Sequence, residues 1–280
     1  MIEHAGLSEP GPARPNNEDF IACGCPEEAD VRAAKGHLFV IADGVGGSLS
    51  GEVASREAAS ALLRLYYESS RGVHKSLLEA FRQTNLRVYD LSQTAPEYCQ
   101  MQTTLSAIAL EGKRAVIGHI GDTRIYLTRQ REIQQLTKDH SEVGDLMRLQ
   151  IITPDEARTH HRRHIINRTV GSTPFLQADF RHVEVEIGDV FVLCTDGLWE
   201  PVAEREIAEA VTDYPPAIAC RRLVDLAIER ETSDNLSIQV VKVVEWERNE
   251  AVRASRKPNL WQRSLQIFSR KRGGAERGDS

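Results

Sequence analysis

The sequence predicts an α+β fold whose strands lie in two mainly antiparallel sheets, each flanked by a pair of helices. Three observations carry this. Strand-like segments come in runs with helices inserted in pairs, whereas a βαβ parallel sheet needs one-for-one alternation. Turn signals such as Glu111-Gly112-Lys113 and Gly121-Asp122 separate neighbouring strand segments by only a few residues, the spacing of antiparallel pairing. A chain of 280 residues, 41% hydrophobic and 27% charged, is an ordinary globular composition and long enough to bury a sizeable core.

In chain order, residues 2–8 and 18–24 read as short strands around a turn built on Pro10-Gly11-Pro12 and Pro15-Asn16-Asn17. Residues 37–43 form a third strand. A helix over 50–69 places Ala54, Ala58, Ala61, Leu62 and Leu65 on one face, and a second over 73–92 carries a stripe of Leu77, Leu78, Phe81, Leu86 and Val88. Strands follow at 102–110, 114–119, 123–128 and 132–136. Residues 138–173 are polar, hold the run His160-His161-Arg162-Arg163-His164, and show only short helical pieces, which marks an excursion of the kind that lines a site. Strands resume at 181–187 and 190–195, helices at 204–212 and 216–230, and a last strand at 236–244. No internal repeat is present.

The globular unit therefore ends near residue 244. Beyond it, residues 245–280 hold nine Lys/Arg against five Asp/Glu, a net charge of +4, while the whole chain carries −6. This tail reads as a flexible basic segment. A short amphipathic helix with Leu260, Trp261, Leu265 and Phe268 on one face, touching anionic membrane or an acidic partner, is the sharper alternative. Residues 1–244 are correspondingly acidic, which argues against nucleic acid as a partner. No apolar run approaches the roughly 20 residues that span a bilayer. The start Met1-Ile2-Glu3-His4 has no signal-peptide pattern, and the five cysteines are scattered and odd in number, so a cytoplasmic protein with reduced thiols is expected. Cys23-x-Cys25 has no second Cys/His pair at zinc spacing and reads as two ordinary strand-end residues.

The chemistry concentrates on Ile41-Ala42-Asp43-Gly44-Val45-Gly46-Gly47, where an apolar strand delivers a carboxylate to its C-terminal end and glycines permit a tight turn. Asp19, Asp196 and Asp234 also lie at strand ends or beside strands. Four aspartates at strand edges suit an oxygen-lined site for a hard cation such as Mg²⁺ or Mn²⁺.

Four segments now align: Arg14-Pro15-Asn16-Asn17-Glu18-Asp19, the Asp43 turn, Leu193-Cys194-Thr195-Asp196-Gly197-Leu198-Trp199, and Ser233-Asp234-Asn235-Leu236-Ser237. With Gln102-Thr103-Thr104-Leu105, Gly121-Asp122-Thr123-Arg124, Leu136-Thr137-Lys138-Asp139-His140-Ser141 and Ile152-Thr153-Pro154-Asp155, the sequence resembles the bacterial form of the protein phosphatase 2C family over residues 1–244. The resemblance implies a four-layer α-β-β-α sandwich with two Mn²⁺ or Mg²⁺ ions at one edge of its sheets. By position, Asp43 would bridge both ions. Asp196, Asp234 and the Gly44 carbonyl would complete one, and Glu18 and Asp19 would hold the other, partly through water. Asp122 with Asp196 matches a third-ion position, and Arg14 matches the phosphate-binding arginine. The implied activity is hydrolysis of phosphoserine and phosphothreonine in proteins by attack of a metal-bridging hydroxide. The implied partner is a cognate Ser/Thr kinase or its substrates, and the enzyme would be a monomer. Residues 138–173 would be the variable flap. Val45 stands where many members carry a histidine proposed as general acid, so the leaving-group proton must come from metal-bound water or from a histidine elsewhere; His160 and His164 read as solvated surface residues. The alternatives are a catalytically idle phosphoprotein-binding module and a phosphatase for small phosphate esters.

Overall fold

A computed structural model of the chain describes residues 1–45, 49–153, 156–157, 160–245 and 265–266. Two sheets face each other. The first has the order β1 (Ile2–Glu9), β11 (Leu236–Val243), β10 (Val190–Cys194), β7 (Arg124–Arg129) and β8 (Glu132–Gln135). The second has the order β12 (Leu265–Gln266), β2 (Asp19–Gly24), β3 (His37–Val45), β5 (Leu105–Glu111), β6 (Arg114–Ile120) and β9 (Asp179–Glu184), with β4 (Gln102–Thr103) on the end of β3. The ladders joining these strands are all antiparallel.

Alternation along each strand explains why the sheets stack. In β3, Phe39 and Ile41 enter the core between the sheets, while Leu38, Val40 and Ala42 enter a second core beneath the helices α2 (Leu49–Glu68) and α3 (Val73–Ser92). In β10, Phe191 and Leu193 face the inter-sheet core. Val190, Val192 and Cys194 pack with Ile207, Val211, Leu223 and Val224 of α6 (Glu204–Asp213) and α7 (Pro216–Glu229). Strands covered on both faces read as unbroken apolar runs even though their pairing is antiparallel. The result is the α-β-β-α sandwich.

The expected elements form with small shifts. The strand expected over 102–110 is interrupted at Thr104, yet the register runs through unchanged, from Ile41↔Ser106 to Gly44↔Thr103. The interruption arises because Asp43 N–H donates to the Thr104 hydroxyl (2.9 Å) instead of the strand carbonyl. The strand expected over 181–187 ends at Glu184, where Asp189 turns the chain by accepting from Glu186 N (2.8 Å) and from the guanidinium of Arg129 (2.7 and 2.8 Å). Helix α1 (Ala29–Lys35) was not anticipated. Its stop signal is visible in the sequence as Gly36, which adopts φ 66°. Within the excursion, α4 (Glu142–Arg148) is capped by the Ser141 hydroxyl, which accepts from Gly144 N. The single turn α5 (Asp196–Trp199) follows β10 directly.

Two expectations need correction. Leu86 does not belong to the buried stripe of α3: it is 44% exposed, and Val73, Ala80 and Thr84 are buried with Leu77, Phe81 and Val88 instead. The 3.6-residue period places Leu86 two residues off that stripe. In the tail, Leu265–Gln266 is strand rather than helix, paired antiparallel with Gly24 and Cys23 at the edge of the second sheet. Leu260, Trp261 and Phe268 lie outside the described residues. Among the described residues, no helix is long and apolar enough to cross a membrane.

Replacing fully buried Leu77 by Ala is expected to cost about 2–5 kcal/mol in urea unfolding, and replacing Leu86 by Ala less than about 0.5 kcal/mol. Equal costs at the two positions would contradict this packing of α3.

Candidate metal centre

The predicted carboxylates converge from both sheets on one end of the sandwich. Asp19 opens β2 and lies opposite Asp43 of β3 in the ladder. Asp122 precedes β7, Asp196 follows β10, and Asp234 precedes β11, three neighbouring strands of the other sheet. Asp43 is close enough to Asp19, Asp196, Asp122 and Asp234 for all four to act on its charge.

Hydroxyl and amide groups fix the backbone of Asp43 and the carboxylate of Asp19. Thr103 Oγ1 donates to the Asp43 carbonyl (2.7 Å), and Thr104 N donates to the same oxygen (2.8 Å). Thr195 Oγ1, at the end of the first sheet, donates to Asp19 Oδ2 of the second across 2.8 Å. That buried bond pins the two sheets together at the site. Asn235 accepts from Glu18 N (2.8 Å) and donates to the carbonyls of Pro10 and Asn16, tying the Arg14 loop to β11. Gly44 admits no side chain: a Cβ there would lie 2.2 Å from the Gly51 carbonyl oxygen. The close approach brings the first turns of α2 against the end of β3, with the Glu18 carboxylate beside Gly51.

Burial is the largest influence on these acids. It pushes Asp19 from an ordinary 3.8 up to about 8 and Asp196 up to about 7, with neighbouring aspartates adding to the rise. Asp43 and Asp122 are held well above the usual carboxylate range for the same reason, Asp43 by burial and then by Asp19, Asp122 by burial and then by Asp196. A cluster of buried acids that cannot all ionise together lacks a positive counterpart, and divalent cations supply one. The donors are oxygens throughout, which fits Mg²⁺ or Mn²⁺.

The remaining predicted residues lie at the rim. Arg14 pairs with Asp234 (Nη2 to Oδ2, 2.8 Å) and donates from Nε to the Ser233 carbonyl. Its attraction to an uncompensated carboxylate draws it to a ligand position rather than outward. Gly46 and Gly47 of the turn fall outside the described residues.

The structure also assembles groups that sequence reasoning passed over. His164, 58% exposed, stands beside Asp196 and Glu200, with one ligand atom from each residue within 4.8 Å of the others. Nothing in the sequence distinguishes it from His160 and His161, because the link to Glu200 spans a fold of the chain. The Arg124 guanidinium sits over the Trp199 ring, 3.5 Å from its centroid, and grips Asp139 (2.7 Å), while Trp199 Nε1 donates to the Asp122 carbonyl (3.2 Å). These contacts anchor the start of the 138–173 excursion to the site. Its far end is anchored by paired bonds between Thr103 and Val170 and by Asn85, which accepts from Gly171 N.

The sequence profile of the protein phosphatase 2C family matches residues 17–237. The chain belongs to that family. It is 34% identical over 248 residues to the serine/threonine protein phosphatase PstP of Mycobacterium tuberculosis, covering 88% of this chain and 46% of that protein. It thus spans about half the length of that relative. It is 33% identical over 249 residues to the protein phosphatase PhpP of Streptococcus pneumoniae, covering 87% of this chain and 98% of PhpP. Among solved structures, the catalytic domain of PstP in complex with two manganese ions superimposes with a TM-score of 0.75 at 33% identity, covering 87% of this chain and 99% of that one.

Without divalent cations, the phosphatase-family domain should lose stability as pH rises. Native Asp19 and Asp196 keep their protons to about 8 and about 7, whereas the unfolded chain releases them near 3.8. The native state therefore binds more protons across this window, and stability falls with increasing pH. Melting temperatures in EDTA are expected to drop between about pH 5 and pH 8. Saturating Mn²⁺ should remove most of the slope, and Asp196→Asn should shrink it. A slope unchanged by Mn²⁺ would contradict the assignment of these acids to one cation-binding cluster.

Proposed function

We propose that this chain is a Mn²⁺- or Mg²⁺-dependent phosphatase acting on phosphoserine and phosphothreonine in proteins. The observation that carries the proposal is the meeting of Asp19, Asp43, Asp122 and Asp196 at one end of the two sheets, where burial and mutual repulsion hold their carboxyls above the usual range, with Asp234 beside them at the rim. Asp43 is assigned to both ions, Asp196 and Asp234 with the Gly44 carbonyl to one, and Glu18 and Asp19 to the other. Asp122 and Asp196 are assigned to a third, weaker ion. When bound, such a pair of cations supplies the acidity that activates water near neutral pH and offsets phosphoryl charge.

The protein groups have distinct tasks. Arg14 sits at the mouth of the site beside Asp234, and its planar fork suits two phosphoryl oxygens at once. Asp43 has its backbone fixed at both its N–H and its carbonyl by Thr104 and Thr103, which sets where its side chain starts. Val45 carries no proton to give. His164 is the exposed titratable group next to Asp196, and we assign it to protonate the departing seryl or threonyl oxygen. The catalytic domain is assigned to residues 1–244, with Leu265–Gln266 of the basic tail laid on the edge of its second sheet. The five unbridged cysteines agree with a reducing, cytoplasmic setting. A Ser/Thr kinase or its targets would provide the substrates.

Phosphate release from a phosphothreonine peptide tests this directly. Wild type should turn over only with Mn²⁺ or Mg²⁺. Asp43→Asn and Asp196→Asn should each lower the rate by at least about 100-fold, near 2.7 kcal/mol in the barrier. A chain ending at residue 245 should keep its rate. Absence of metal-dependent turnover in wild type would discard the enzyme reading in favour of a binding module.

Replacing His164 by Ala should slow the phosphothreonine peptide about 100-fold. An aryl phosphate, whose leaving group needs no proton, should be affected far less. Equal losses on both substrates would remove His164 from proton transfer.

A further inference from the structure

At the end of the sandwich away from the acidic cluster, three soft donors from different sheets come together. His4 belongs to β1 of the first sheet, Cys23 to β2 of the second, and Cys25 follows β2 by one residue. Strand alternation aims all three inward. Ile2 packs into the inter-sheet core while Ala5 and Leu7 face the other side, so His4 shares the inner face, its ring edge-on to Phe39 at 5.1 Å. Cys23 is buried in that core and Cys25 packs against it. One ligand atom from each residue lies within 4.8 Å of the other two, and Cys25 Sγ stands 3.5 Å from His4 Nε2.

We propose that His4, Cys23 and Cys25 form a zinc site that clasps the two sheets together, separate from the acidic centre. With zinc–sulfur and zinc–nitrogen bonds of about 2.3 and 2.0 Å, two ligands at a tetrahedral angle lie roughly 3.5 Å apart. The Cys25–His4 spacing already has that value. Thiolate and imidazole donors suit Zn²⁺ and not the hard cations assigned to the other end. Burial lowers the proton affinity of His4, so at neutral pH its ring is neutral and can offer a lone pair. Four residue-to-residue steps of extended strand separate Asp19 from Cys23, about 13 Å, too far for one ion to serve both ends. Three protein ligands leave the fourth tetrahedral position to water. The ion would join β1 to β2 near a strand edge, and its binding energy would add to folding stability. Thiol protons leave to solvent on binding, and no electron transfer is involved.

The test uses the full chain, reduced and saturated with Mn²⁺, titrated with Zn²⁺ against a chromophoric chelator and, separately, with Co²⁺. One Zn²⁺ per chain is expected beyond the Mn²⁺ content, with a raised melting temperature and a thiolate-to-cobalt charge-transfer band. Cys25→Ser and His4→Asn should each weaken zinc by more than about 100-fold, beyond the loss seen for changes outside a first coordination shell. Both should keep Mn²⁺-dependent phosphate release, which also reports that they fold. No zinc uptake in the presence of Mn²⁺, equal uptake by wild type and both variants, or a Cys23–Cys25 disulfide in zinc-treated protein would each overturn the site.

Discussion

Burial of carboxylates away from water, and beside one another, is the constraint on which this molecule turns. Asp19, Asp43, Asp122 and Asp196 are carried to one end of a sandwich whose two faces and interior are filled by aliphatic and aromatic side chains. Apolar packing on that scale is worth far more than the discomfort of a few acids. The sheets therefore do not splay to relieve it. The acids must hold protons or accept cations, and their raised proton affinities record that choice. A frame stiff enough to keep like charges close is what makes a cation site out of ordinary aspartates.

Neutral hydrogen bonds set the geometry that packing alone leaves loose. Thr104 diverts one ladder bond into its own hydroxyl and so fixes Asp43. Thr195 crosses from one sheet to the other to hold Asp19. The same logic extends outward through Trp199, Arg124 and Asp139, where a cation over an aromatic ring and a buried ion pair root the start of the 138–173 segment beside Asp122.

The two ends of the sandwich differ in donor chemistry. Oxygen donors collect where β2 begins, and sulfur and nitrogen donors collect where it ends. Ligand hardness would partition Mn²⁺ and Zn²⁺ between them without any selective gate. Strand alternation produces both arrangements, since it decides which residues of β1, β2 and β3 face the interior.

The strands, both long helix pairs and the aspartates at strand ends were legible in the sequence because each depends on local periodicity and turn chemistry. Helix α3 runs from Val73 to Ser92 as expected, and Asp19, Asp43, Asp196 and Asp234 lie at the strand edges where their neighbours placed them. What escaped depends on contacts between distant residues. Leu86 looked like core because an apolar residue near a helical stripe is ambiguous until a partner surface exists. The pairing of Arg14 with Asp234, the place of His164 beside Asp196 and Glu200, and the gathering of His4 with Cys23 and Cys25 span gaps that no window of sequence contains. Local order follows from which residues are neighbours in the chain. Only stacking one sheet on the other decided which carboxylates, rings and thiols share a space, because that depends on how two surfaces filled by remote segments come to rest.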